Sequence, residues 1–215
     1  MDRLNDKIMK VSLSPERDRV PFIPGQFCFF SFRDASLSRE AHPYTICSAP
    51  EQDPITITVK ALGDYTNQLY KELRPGVPAL LEGPYGRFDY RKHAYPQIWI
   101  AGGVGIAPFI SWANTLQNSD ASAEFRADLY YCVNSQADAV HLHIFEKLEQ
   151  KLPGFSVYLN CANTQGFLKA GDISGIHHKN IFICGPKEMR QALLKEFSER
   201  HVSGNSVFFE DFDFF

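Results

Sequence analysis

The segment AGGVGIAP at residues 101–108 carries the strongest local signal for ligand binding. It follows a short apolar run and opens a helical pattern. Glycines let the backbone turn tightly and approach a ligand, and the free N–H groups at the start of a helix face an anion such as a pyrophosphate. A glycine motif alone is weak evidence, and a tight turn without a ligand is the alternative. Gly102, Gly103 and Gly105 ahead of a proline favour the phosphate-binding interpretation.

Two weaker motifs lie in the first part of the chain. Residues 42–48 (HPYTICS) form a polar, strand-like segment that by itself is typical of an edge strand. In residues 60–66 (KALGDYT), a strand ends at Lys60, Gly63 permits a turn, and Thr66 is placed to cap a helix. This second segment predicts another phosphate cradle.

Two further motifs lie near the C-terminus. Residues 184–186 (CGP) end an apolar strand. Because ligands of open α/β sheets gather at the carboxyl ends of strands, we expect this turn to share a crevice with residues 102–105. The last eight residues, 208–215, read FFEDFDFF. Core packing explains Phe208 and Phe209, whereas Phe214 and Phe215 are not accounted for in that way.

The elements that carry these motifs change character along the chain. Up to about residue 90, short apolar or alternating runs at 8–13, 27–32, 55–60 and 79–81 are separated by Pro-Gly turns, which predicts an antiparallel barrel or sandwich. Beyond residue 95, apolar strands alternate with helical patterns, which predicts a parallel sheet with helices on both faces. We therefore expect one domain over residues 1–92 and a second over residues 93–215.

The composition excludes several classes of function. The chain of 215 residues has a formal net charge of −3 and no basic stripe for nucleic acid. Its five cysteines are scattered, without a metal-binding spacing or the clustered ligands of an iron–sulfur centre. No apolar run is long enough for a transmembrane helix, and the N-terminus lacks the pattern of a signal peptide. We expect a chain without a metal site in a reducing, cytoplasmic setting.

Taken in order, these motifs resemble the ferredoxin–NADP reductase superfamily. The similarity is closest to the C-terminal flavin and nicotinamide region of ferric reductases and NADPH oxidases, and it rests on HPYTICSAP, VKALGDYTNQL, LEGPYGRF, AGGVGIAPFISW, ICGP and FFEDFDF. The resemblance implies an FAD-binding Greek-key barrel followed by a nucleotide-binding α/β domain. It also implies hydride transfer from NAD(P)H to FAD, and single-electron transfer to an acceptor outside the chain.

The resemblance assigns roles to individual residues. Tyr44 would pack on the flavin ring, and Thr45 would bond near the atom that receives hydride. The FAD-binding set is His42, Pro43, Tyr44, Thr45, Ser48, Val59, Lys60, Gly63, Tyr65 and Thr66. The nicotinamide dinucleotide set is Gly102, Gly103, Gly105, Ile106, Pro108, Asn134, Cys184, Gly185 and Pro186. Thr45, Cys184 and Phe215 would act at the reacting rings, with Phe212, Phe214 or Phe215 covering the flavin.

The sequence departs from the family pattern in two places. Asn134 and residues 166–168 stand where NADPH-preferring enzymes often carry a basic residue, which favours NADH slightly unless Arg126 or Lys169 compensates. The family's barrel usually begins with one more strand before residues 8–13. We expect that strand to be missing, and the chain to be the cytosolic part of a longer protein with a haem-bearing membrane region.

Several alternatives stay open at this point. The acceptor is the haem of a membrane domain, an iron chelate or a small electron carrier. A stand-alone soluble flavin or ferredoxin reductase is a second interpretation. A non-catalytic interaction module with a vestigial cofactor site is a third, and a dehydrogenase without flavin is the fourth.

Overall fold

The computed structural model describes residues 1–119 and 124–210. The C-terminal aromatic positions Phe212, Phe214 and Phe215, which the resemblance places over the flavin, lie outside the described residues.

Antiparallel strands build the first part of the molecule. In chain order they are β1 (Asp2–Arg3), β2 (Ile8–Leu13), β3 (Phe27–Phe32), β4 (His42–Thr45), β5 (Ile55–Lys60) and β6 (Ala79–Tyr85), with helix α1 (Asp64–Glu72) between the last two. One sheet has the order β1-β2-β5 and the other β4-β3-β6. An isolated bridge between Ile46 and Ile57 joins them, which completes the predicted Greek-key barrel.

A short strand occupies the position before β2, where the sequence predicts that a strand is missing. Asp2 pairs with Lys10 and Arg3 with Met9, so β1 covers two residues of the β2 edge. The prediction that the strand before β2 is missing is corrected to this extent. The sequence signal fails here because both β1 residues are charged and exposed.

Parallel strands build the second part. They are β7 (Gln97–Gly102), β8 (Ala127–Val133), β9 (Phe155–Cys161), β10 (Asn180–Cys184) and β11 (Val207–Phe209), in the sheet order β11-β10-β7-β8-β9. The helices are α2 (Ala107–Asn118), α3 (Leu142–Lys151), α4 (Ala162–Gln165) and α5 (Lys187–Glu199).

Helices cover both faces of this sheet, as predicted. Trp99 of β7 packs in one core with Phe109 of α2 and Phe145 of α3. Ile100, its neighbour in β7, packs in a separate core with Leu193 of α5. Successive residues of a strand point to opposite faces, so β7 is an uninterrupted apolar run because both of its faces are buried.

The two parts share a packed and hydrogen-bonded boundary. Cys47, in the segment after β4, is buried in the core formed by α2, α3 and the parallel sheet. The Thr58 hydroxyl of β5 and Nε2 of His141, at the start of α3, share a buried hydrogen bond of 3.0 Å. The cofactor-binding segments therefore sit on one continuous scaffold.

Candidate cofactor-binding crevice

The carboxyl ends of β7 and β10 form the centre of the site. These strands are neighbours, with Ala101 paired to Cys184. The chain passes from β7 to β8 on one side, whereas β10 lies on the other, so the strand order reverses between them. Ligands of open α/β sheets bind at such a switch point. The structure thus brings residues 102–105 and 184–186 together, as predicted.

Glycine is required where these two turns touch. A Cβ atom added at Gly105 would lie 2.3 Å from the Cys184 carbonyl oxygen. One added at Gly185 would lie 2.9 Å from the Gly102 amide nitrogen. Gly103 differs, because its φ is +54° and an added Cβ would meet nothing within 4 Å. Two of these glycines hold the turns in contact, and Gly103 borders open space.

A cavity of about 390 Å³ opens beside the turns. Its wall includes Gly102, Gly103, Asn134, Pro186 and the barrel residue Lys60, together with Ile8, Cys132, Val133, Asp138, Asn160, Ala162, Phe167, Leu168, Glu188, Met189 and Ala192. Of the described residues that line the cavity, Lys60 is the one cation, and Asp138 and Glu188 are the two that carry carboxylates. The sequence assigns Lys60 to FAD; its presence in the wall of the nucleotide cavity was not anticipated.

The part of the barrel that is predicted to bind flavin has buried polar atoms that make no hydrogen bond, although His42 Nε2 lies 3.9 Å from a Glu40 carboxylate oxygen. Among the described residues, His42 Nε2 and the hydroxyls of Tyr44 and Tyr65 are buried and make no hydrogen bond. The rings of His42 and Tyr65 stack with centroids 3.7 Å apart at 20°. Burial raises the pKa of Tyr44 and lowers that of His42. Buried polar atoms are nearly always paired, so this cluster fits a polar cofactor such as FAD.

The start of α1 supplies a second part of the flavin side. An added Cβ at Gly63 would meet nothing within 4 Å. Thr66 Oγ1 accepts hydrogen bonds of 2.9 Å from the Leu62 amide and 3.0 Å from the Gly63 amide. Helix α1 begins at Asp64 with Gly63 as its N-cap, so the prediction that Thr66 is the cap is wrong by three positions. The helix starts earlier because Gly63 provides the turn and Thr66 satisfies the amides before it.

Several residues of the motifs lie inside the scaffold. Ser48 is 1% exposed, and its hydroxyl accepts a hydrogen bond from the Thr56 amide. Val59 and Ile106 are buried in the two cores. Pro108 is buried in the first turn of α2. Their side chains are not among those that line the cavity beside the turns. Thr45 is also buried, while Pro43 is half-buried on the β4 edge strand.

A carboxyl group that the sequence reasoning missed lies close to Cys184. Burial raises the pKa of Glu210 to about 7. Burial also raises the pKa of the Cys184 thiol, with a further contribution from Glu210, so the thiol stays protonated. The signal in the sequence was an acidic residue inside an aromatic segment. In this structure Cys184 is itself fully buried.

All five cysteines are free thiols. Residues 1–119 and 124–210 contain no group of three His, Cys, Asp or Glu side chains that could hold a metal ion. No described helix has the length and apolar character needed to cross a membrane.

Two family models match the chain. One, described as an FAD-binding domain, matches residues 1–89, and the other, described as an oxidoreductase NAD-binding domain, matches residues 99–195. A 2-halobenzoate 1,2-dioxygenase electron transfer component from Burkholderia cepacia is 25% identical over 99% of this chain and 65% of its own length. The heavy chain of a superoxide-generating NADPH oxidase from Dictyostelium discoideum is 29% identical over 49% of this chain and 23% of its own length.

Solved structures share the fold. The flavohem-like FAD/NAD binding domain of nitric oxide dioxygenase from Vibrio cholerae O1 biovar El Tor superposes with a TM-score of 0.79 at 21% identity, covering 95% of this chain and 92% of that one. The chain spans less than two thirds of the length of the first curated relatives, between 60% and 65%. The chain therefore consists of an FAD-binding domain followed by an oxidoreductase NAD-binding domain, the two-domain arrangement of ferredoxin–NADP reductase-like proteins.

Proposed function

We propose that this chain takes hydride from NADH, transfers it to a bound FAD, and delivers the electrons one at a time to an acceptor outside the chain. The observation that carries the proposal is the crevice where the turns after β7 and β10 meet, together with the buried polar atoms of His42, Tyr44 and Tyr65 that make no hydrogen bond. FAD, when bound, supplies the conversion of a two-electron hydride into single electrons. Everything else is positioning and electrostatics, which the chain provides.

Each side of the crevice has its own binding task. On the flavin side, the hydroxyls of Tyr44 and Tyr65 and Nε2 of His42 gain the hydrogen bonds that they lack, and the open space at Gly63 receives a phosphate. On the nicotinamide side, the amides that follow β7 face the dinucleotide pyrophosphate, as at other helix starts. Lys60, in the cavity wall, adds a compensating positive charge. The rings must stack at about 3–3.5 Å for hydride transfer.

The cavity wall favours NADH over NADPH. An adenosine 2′-phosphate requires a cation, preferably an arginine, yet Asp138 and Glu188 line the cavity. Arg126 cannot compensate, because it precedes Ala127 at the amino end of β8, opposite the crevice. Lys169 is exposed, next to the wall residue Leu168. Steady-state turnover with NADH and with NADPH tests this preference. A large preference for NADPH that is lost in Lys169→Ala would contradict the proposed preference for NADH.

The acceptor belongs to a protein or molecule other than this chain. A relative named as a dioxygenase electron transfer component, and another named as an NADPH oxidase heavy chain, support transfer to a separate centre. The haem of a ferric reductase-like membrane region is the acceptor we favour, with this chain on the cytoplasmic side. An iron chelate or a small electron carrier would be served by the same half-reaction.

The test begins with purified protein and added FAD. We expect the flavin absorption to shift on binding, and anaerobic NADH to bleach it within seconds. A protein that never binds FAD would contradict the proposal and restore the non-catalytic interpretation. A protein that binds FAD but is not reduced by either nucleotide would leave it an FAD-binding module without this activity.

A further inference from the structure

Helix α2 connects the nucleotide-binding turn directly to the flavin-binding strand. It begins at Ala107, two residues after Gly105. One of its faces is hydrogen-bonded to the barrel rather than to its own domain. At about 1.5 Å rise per residue, the helix carries this connection roughly 9 Å from Gly105 to Ser111. The same rigid element therefore contacts both halves of the crevice.

Two side chains of α2 hold the segment that follows β4. The Ser111 hydroxyl donates a hydrogen bond of 2.9 Å to the Ser48 carbonyl. The Asn114 side-chain amide donates one of 2.9 Å to the Cys47 carbonyl. Residues three apart on a helix are neighbours on its surface, so the pair acts as one clamp. Cys47 lies two residues after Thr45, the residue assigned to the reacting end of the flavin.

A third contact fixes the helix against the barrel from another direction. The Trp112 indole N–H donates a hydrogen bond of 3.1 Å to the Pro24 carbonyl. Gly25 makes this approach possible, because a Cβ added there would lie 2.6 Å from Trp112 Nε1. Ser111 and Trp112 are both completely buried. Because these bonds join α2 to two separate segments of the barrel, they hold the helix against sliding along it.

We infer that Ser111 and Asn114 are positioning residues for hydride transfer, which set the distance between the nicotinamide held at Gly102–Gly105 and the flavin held at Tyr44 and Thr45. This inference rests on the proposed function. Neither side chain lines the cavity beside the turns. Buried carbonyl oxygens need hydrogen-bond donors, and Ser111 and Asn114 supply them from one helix, α2. Loss of the clamp lets helix α2, and with it the turn after β7, settle at a new distance from β4.

The test compares Ser111→Ala, Asn114→Leu and the double variant with the parent protein loaded with FAD. The readouts are FAD and NAD⁺ dissociation constants, the anaerobic rate of flavin reduction by NADH, and the long-wavelength charge-transfer absorption of the stacked rings. A displacement of about 1 Å costs on the order of 100-fold in rate. We expect reduction to slow about 10- to 100-fold and the charge-transfer band to weaken, while both dissociation constants stay within about twofold.

Gln117→Leu is the matched control. Its side-chain amide donates a hydrogen bond of 3.0 Å to the Ile144 carbonyl, so this variant removes the same kind of contact within a single domain. The control should reduce at the parent rate. Equal slowing in Gln117→Leu, or a rate loss in the clamp variants that matches their loss of bound FAD, would overturn the inference. Ser111→Ala removes a single oxygen, so it keeps the test decisive if Asn114→Leu fails to fold.

The same experiment distinguishes a failure of the proposed function from a failure of the clamp. A parent protein that NADH does not reduce would refute the proposed function, and the clamp would fall with it. A parent that is reduced, with clamp variants reduced within threefold of its rate and an unchanged charge-transfer band, would refute the clamp alone.

Discussion

The contact between Gly105 and the end of β10 allows a quantitative test of the crevice. A Cβ added at Gly105 would lie 2.3 Å from the Cys184 carbonyl oxygen and 2.6 Å from the carbonyl carbon. Ordinary van der Waals contact for a Cβ begins at 3.4 Å, so Gly105→Ala must separate the two turns by about 1 Å. Both obstructing atoms belong to the backbone at the end of a buried strand. The loop after β7 will therefore move.

The energetic consequences divide between stability and rate. Overpacking of this size typically costs about 1–3 kcal/mol of unfolding free energy. A displacement of about 1 Å at the reacting rings costs on the order of 100-fold in rate. The polar atoms of His42, Tyr44 and Tyr65 that make no hydrogen bond lie on the barrel side and are not displaced. We expect Gly105→Ala to fold and to bind FAD normally, but to be reduced by NADH about 100-fold more slowly.

The assay is anaerobic stopped-flow reduction of the FAD-loaded protein, combined with FAD titration and thermal unfolding. Gly204→Ala is the control, because a Cβ there would meet nothing within 4 Å and the residue lies outside the crevice wall. Reduction of Gly105→Ala within threefold of the parent rate would refute the reasoning. Equal slowing in Gly204→Ala would show that the effect is not specific to the crevice.

Three further outcomes follow from individual residues. Gly63→Ala should raise the FAD dissociation constant at least tenfold in a fluorescence titration, with an unfolding free energy within about 1 kcal/mol of the parent, because its Cβ points into open space. Burial lowers the pKa of His141 to about 4. The unfolded chain therefore binds that proton first as the pH falls below about 6.5, and the unfolding free energy should drop by up to about 3 kcal/mol towards pH 4. Urea titrations should show a smaller drop in His141→Asn, and an equal drop would count against this residue. Burial raises the pKa of Glu210 from 4.5 to about 7, so the stability that the protonated carboxyl contributes to the fold is lost as the pH rises through that range. Glu210→Gln should exceed the parent in stability by about 1–2 kcal/mol at pH 8 and match it near pH 4.5; parallel pH curves would contradict this.

The sequence predicts strands best where apolar residues follow a regular pattern. The bounds of β2, β3 and β5 are those that the patterns indicate. Strand β6 runs four residues beyond the predicted Leu81 because it passes through Gly83-Pro84, which normally argues against a strand. It is tolerated because β6 lies at the edge of its sheet, where a missing N–H leaves no partner unpaired.

The candidate site is predictable as far as its local turns. The turns after β7 and β10 were expected to meet, because both follow parallel strands. The location of Lys60 in the nucleotide cavity and of Glu210 beside Cys184 could not be predicted. Both depend on how the barrel and the last strand pack against the α/β domain. That packing produces no periodic pattern in the sequence. Family motifs also mix contact and scaffold residues, as the buried Ser48 illustrates.

The shared boundary leads to a last prediction about how the nucleotide enters. Domains that open on a hinge keep few contacts across their boundary, and those contacts are exposed. Here Cys47 is part of the neighbouring core, and the bonds made by Ser111, Trp112 and His141 are buried. Opening would expose apolar surface and break each of these bonds at once. We expect NADH to enter by local displacement at the mouth of the cavity, so small-angle X-ray scattering of the FAD-loaded protein should give the same radius of gyration with and without NAD⁺. A measurable contraction on binding would mean that the domains move, and that the buried contacts at α2 are weaker than their geometry implies.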